Sequence, residues 1–157
     1  VAEKLLSIYL NDHLAGSVVG VELSRRARSA NEGTPLGEWL AGLSREIEED
    51  RATLERLMDT LGVRRDHLKT KGAWIAEKAG RLKLNGQLTG YSPLSRLVEL
   101  ESLHLGVSGK LDMWKALGRT LGPDVDGFDF DQLAQRAERQ ATEIEEHRLD
   151  AAAEALS

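Results

Sequence analysis

Leu6, Leu10, Leu14, Val18 and Val21 recur at intervals of three and four between Ala2 and Ala30. That spacing puts them on one face of a helix. Asn31-Glu32-Gly33-Thr34-Pro35 breaks the pattern, and Thr34 followed by Pro35 reads as an N-cap with proline in the first turn. A second stripe runs from Pro35 to Leu61 through Leu40, Leu43, Ile47, Leu54, Leu57 and Leu61. One rung of it is missing, and Asp50 stands there. Gly62 then lies where a helix C-terminus expects glycine.

Residues 63–92 are less regular. They hold a short helical candidate, His67 to Leu82, interrupted by Gly72 and followed by Asn85-Gly86 and Gly90. Such a stretch is far longer than a tight helix–helix turn needs, and long enough to carry the chain from one end of a bundle to the other. Ser92-Pro93 repeats the cap chemistry of Thr34-Pro35. It opens a third segment through Leu97, Leu100, Leu111, Trp114 and Leu117 that ends near Gly118 or Gly122-Pro123. A fourth begins after Asp129, a natural N-cap, and continues through Leu133, Ala137, Ala141, Ile144, Ala151 and Ala155. No segment alternates as a half-buried strand does. The pattern therefore predicts an all-α four-helix bundle with helices near 4–30, 35–61, 93–118 and 130–156, in one domain over 1–157.

The segments also look related in pairs. Residues 46–51 read Glu-Ile-Glu-Glu-Asp-Arg, and residues 143–148 read Glu-Ile-Glu-Glu-His-Arg. His13-Leu14 and His104-Leu105 are each followed by glycine and then by serine, Ser17 and Ser108. Ile47 and Ile144 are both core rungs, so Asp50 and His147 fall on equivalent next rungs. The order is helix pair, crossover, helix pair. With that architecture and the Leu57-Met58-Asp59-Thr60-Leu61-Gly62 end of the second segment, the chain resembles the ferritin-like superfamily. Within it, the likeness is to stress-associated bacterial ferritin-like proteins.

The resemblance implies carboxylate-bridged metal. Such bundles take one Glu from each of two helices and a Glu-x-x-His from each of the others, because residues three apart present oxygen and imidazole on one side of a helix. Here Glu101-Ser102-Leu103-His104 has that spacing, but on the third segment, where a lone Glu is expected. The expected inward set is His13, Asp50, Glu101, His104 and His147, with Glu46 and Glu143 one turn behind Asp50 and His147. Iron, manganese or another divalent ion would suit such donors. A metal-free polar core would suit them equally, since buried groups of this kind need partners in either case. A three-His bundle of the DNA-damage-inducible type is less well matched, as no His-x-x-x-His occurs.

Composition narrows the function classes. The chain has no cysteine, which removes disulfides, thiolate chemistry and Cys-based zinc sites. A formal charge of −5 argues against general nucleic-acid binding. Apolar runs are too short to span a membrane, and the opening residues carry no signal-peptide pattern, so a cytoplasmic location is expected. A start at Val1 leaves room for residues upstream. A homodimer is compatible with the pattern. From Arg64 to Lys83 seven basic residues stand against only Asp66 and Glu77, a charge distribution that a phosphate-bearing partner could use but that better suits a solvated surface lid. Gly16, Gly20, Gly106 and Gly109 fall inside helices, each at a cost of about 1 kcal/mol relative to alanine. Close helix approach would justify them, and so would room for a ligand. Trp39, Trp74 and Trp114 read as packing anchors. Two functions follow: a ferritin-like bundle binding one or two divalent ions, or a metal-free bundle with a structural or interaction role.

Overall fold

A computed structural model describes residues 1–66 and 90–157. The helical candidate from His67 to Leu82 and the Asn85-Gly86 pair lie outside the described residues, as do Trp74 and most of the basic stretch. Among the described residues there are four long helices and no strand: α1 (Ala2–Ala30), α2 (Pro35–Thr60), α3 (Pro93–Leu121) and α4 (Phe130–Leu156). α3 runs three residues past the expected Gly118 and ends on a single 3-10 turn, Gly122–Asp124. None of these helices is long and apolar enough to cross a membrane.

The helix starts are written in the cap residues. Thr34 Oγ1 accepts from Gly37 N at 3.1 Å, and Asp129 Oδ1 accepts from Gln132 N at 3.0 Å. Ser92 Oγ accepts from Ser95 N at 3.1 Å while Ser95 Oγ accepts from Ser92 N at 3.2 Å, a reciprocal box with serine in both places. Gly62, with φ of 67°, ends α2 in the left-handed region. At the α1–α2 turn, Gly37 is required for space. A Cβ there would stand 2.1 Å from the Asn31 carbonyl oxygen, which accepts from both the backbone and the side chain of Thr34.

α1 pairs with α2 and α3 with α4, while α1 also packs on α3 and α2 more lightly on α4. The direction of α3 follows from two anchors. Asn11 of α1 donates to the Arg64 carbonyl at 3.0 Å and accepts from Asp66 N at 2.7 Å. Asn31, just past the other end of α1, donates to Tyr91 Oη at 2.9 Å and accepts from Arg96 Nε at 3.0 Å. The residues that leave α2 and those that enter α3 therefore sit at opposite ends of α1.

The core is divided. One cluster holds Leu40, Leu43, Ile47, Leu97, Leu100, Leu103, Val107 and Ile144 with the second half of α1. The other holds Leu10, Leu14, Leu54, Leu57, Met58, Met113, Trp114, Leu117, Phe130 and Ala137. Between them each helix breaks its apolar run. Asp50 falls between Ile47 and Leu54, Lys110 between Val107 and Met113, and Gln140 between Ala137 and Ile144, while α1 carries Gly16, Ser17 and Gly20. A layer that is polar on three helices and small on the fourth crosses the middle of the bundle.

Candidate functional site

Three of the mid-bundle side chains are bonded to one another. Lys110 Nζ donates to Asp50 Oδ2 and to Gln140 Oε1, both at 2.6 Å. Gln140 Nε2 donates to Glu46 Oε2 at 2.8 Å and to Asp50 Oδ2 at 3.3 Å. Arg136, one turn earlier on α4, lies with Nε 3.4 Å from Asp50 Oδ1 and donates to the Glu46 carbonyl at 2.6 Å. Asp50 is 3% exposed and Gln140 fully buried, so this is an interior ion pair completed by an amide. Burial pushes the Lys110 ammonium below the usual lysine range, and the Asp50 carboxylate beside it opposes that shift. Burial also raises the Glu46 carboxyl, but hydrogen bonds from Gln140 and Arg139 outweigh it and hold the group below the usual range.

On the α1 side of this layer the bundle opens into a cleft that reaches the surface, where Asp12, Leu105 and Gly106 are exposed. A cavity of about 420 Å³ lies among α1, α2 and α3, with an apolar wall from Val19, Leu23, Ile47, Leu54, Leu103 and Met113. Gly16 and Gly20 of α1 and Gly106 and Gly109 of α3 also line it, as does the Asp50–Lys110 pair. A Cβ on Gly16, Gly106 or Gly109 would meet no atom within 4 Å, and one on Gly20 only Ile47 Cγ2 at 3.9 Å. The glycines therefore do not serve close helix approach; they enlarge the opening. Trp114 lines the same cavity, and its indole Nε1 is buried with no hydrogen-bond partner.

The seven sequence-predicted ligands are spread through the bundle. Asp50 and Glu46 meet in the mid-bundle network, both bonded to Gln140. Glu143 accepts from Arg139 and from Trp39 Nε1, the latter at 3.2 Å, and the Trp39 ring lies 4.1 Å from the His147 ring. His104 stands 3.9 Å from Glu145, beside Arg148, which also reaches Glu101 at 3.4 Å. His13 packs edge-on against Tyr9, with ring centroids 4.7 Å apart, at the cavity wall. Burial lowers its basicity, partly offset by Asp12 and Asp112. Among the described residues no group of three or more His, Asp and Glu could hold a metal ion. The physical reason is register. Leu100 and Leu103 occupy the buried face of α3, and Glu101 and His104 each follow by one residue, about 100° further round the helix. His13 likewise precedes the buried Leu14 by one. In the carboxylate that is centred, Asp50, the facing cation is already Lys110.

Sequence reasoning missed Lys110, Gln140, Arg136 and Glu99. Lys110 and Gln140 stand on core rungs, a signal as clear as that at Asp50. Glu99 is fully buried on α3, and neither carboxylate oxygen has a partner. Burial raises its carboxyl to about 7, with Arg26 offsetting part of the shift. Ile47 and Ile144 are both buried as the repeat expects, yet their next rungs differ: Asp50 is enclosed by cations and His147 rests half-buried on Trp39. Compared with known proteins, the chain matches no family model, no curated protein and no solved structure.

Proposed function

We propose that this chain is a metal-free, small-molecule-binding helical bundle whose site is the hollow among α1, α2 and α3. The observation that carries the reading is the set of four helix-interior glycines bordering open space of about 420 Å³. Each glycine lowers helix stability, and no neighbouring backbone needs the room. The volume falls in the range of small-molecule pockets, and the space between bundle helices is a common place for them. An apolar wall with a few fixed polar groups is the composition such pockets use.

An environment-sensitive apolar dye tests the reading. Titrated into the parent protein, it should bind with one site per chain and gain fluorescence. Gly109→Leu, which puts a side chain into the hollow, should weaken binding at least tenfold while keeping the helical circular dichroism. Equal binding by both proteins would place the dye elsewhere and remove the proposal.

A relationship to ferritin-like bundles belongs to the same proposal. It is supported by the two anchors at opposite ends of α1, which suit two antiparallel pairs joined by a crossover. The centre is of a different kind. Lys110 and Gln140 stand where a metal-bearing bundle would gather further donors, and the donor set does not fit iron or manganese. Ferrous iron or manganese titrated into the protein should give no stoichiometric heat. One or two ions bound per chain would restore the metal function.

A further inference from the structure

The cleft leads from solvent to a lysine. Lys110 lines it beside Val107 and Met113 of α3, and its side chain is only 15% exposed. Lys4 and Lys115, by contrast, are exposed. An amine desolvated in an apolar pocket is the form of lysine that attacks carbonyl carbon, and burial holds the Lys110 ammonium below the usual lysine range. Such an amine also needs a base for its proton and a counter-ion for the charge it carries afterwards. Asp50 Oδ2, 2.6 Å from Nζ, can serve as both. Gln140 Oε1 holds a second N–H at 2.6 Å, and among the described residues nothing accepts the third.

We infer that Lys110 forms a reversible imine with an apolar aldehyde that enters the cleft. The inference rests on the proposed binding function and names the substrate class of that site. The hydrocarbon part lies against Val19, Leu23, Leu54 and Met113. The ammonium first passes one proton to Asp50, and the freed lone pair attacks the carbonyl carbon. A second proton moves from nitrogen to the new oxyanion. Asp50 then returns the first proton to that hydroxyl as the C–O bond breaks, so water leaves and a protonated C=N bond remains. Ammonium and aldehyde give iminium and water, with no change of oxidation state. The positive charge stays at Nζ throughout the exchange, so the pairing with Asp50 is kept.

Reductive trapping tests the step. A small excess of nonanal is added to the protein with cyanoborohydride, which reduces an imine to a stable secondary amine, and peptide mass mapping locates the nonyl group. Lys110 should be labelled about tenfold or more over Lys4 or Lys115, the gain from holding the aldehyde beside the amine. Asp50→Leu combined with Lys110→Met should remove that adduct and leave labelling of the exposed lysines unchanged. If the double variant does not fold, the map of the parent protein decides alone. Nonanol, which forms no imine, separates this step from the binding function. Displacement of the apolar dye by nonanol, with Lys110 labelled no more than Lys4 or Lys115, would leave the pocket standing and overturn the imine. Failure of both nonanol and nonanal to displace the dye would overturn the binding function itself.

Discussion

The two sides of the mid-bundle layer solve the same problem in opposite ways. Toward α4, polar side chains stand on core rungs and are satisfied by one another: Asp50 by Lys110, Lys110 by Gln140, Gln140 by Glu46. Toward α1 the rungs carry almost no side chain, and the space is left open. The first side closes the bundle, the second hollows it, and the Asp50–Lys110 pair belongs to both. A buried ion pair adds little stability over apolar packing, but it fixes which groups face which. Here it sets a neutral, rigid floor under an apolar hollow.

The largest expected effect comes from breaking that floor. Asp50→Ala leaves the Lys110 ammonium buried without its counter-charge and should destabilise by about 3–5 kcal/mol in urea or thermal unfolding. Asp50→Leu combined with Lys110→Met should recover most of the loss, since an apolar pair needs no partner. If the single change costs less than about 1 kcal/mol, the pair is not enclosed in solution, and the contrast between the two sides disappears.

Glu99 sharpens the comparison, because it is a buried charge-bearing group without the pairing that Asp50 enjoys. Its carboxyl is held up at about 7 against an ordinary 4.5. The folded state therefore keeps the proton where the unfolded chain would release it. The stabilisation from this group is complete below about pH 4.5 and is lost as pH rises through about 7, up to about 3 kcal/mol in all. Melting temperatures measured across that window should fall for this reason in the parent and stay flatter in Glu99→Gln. Parallel profiles for the two proteins would mean that the carboxyl finds a partner or water.

How much of this was legible in the sequence depends on whether the cause is local. Thr34, Ser92 and Asp129 announce their helices because a cap acts within three residues. The apolar stripes place the core because a helix face is a local periodicity. Asp50 stands out for the same reason, and the four glycines announce either contact or space. The choice between those two needed the distance from one helix to the next. The identity of Asp50's partner was also beyond local pattern, since Lys110 lies 60 residues away and a lysine on an amphipathic helix ordinarily turns to water. Glu101 and His104 misled because metal-ligand spacing records which residues share a side of a helix, and not whether that side is the buried one.

The smallest expected effect bears most directly on the central claim, that the glycines of α1 and α3 hold open a space. The measurement is the thermal unfolding midpoint of Gly16→Leu combined with Gly109→Leu. Leucine is a better helix former than glycine by close to 1 kcal/mol per site, and a Cβ at either position would meet no atom within 4 Å. The account predicts a midpoint about 4–8 °C above the parent. A midpoint below the parent would show that α1 and α3 lie in close contact at these glycines, and would contradict the cavity.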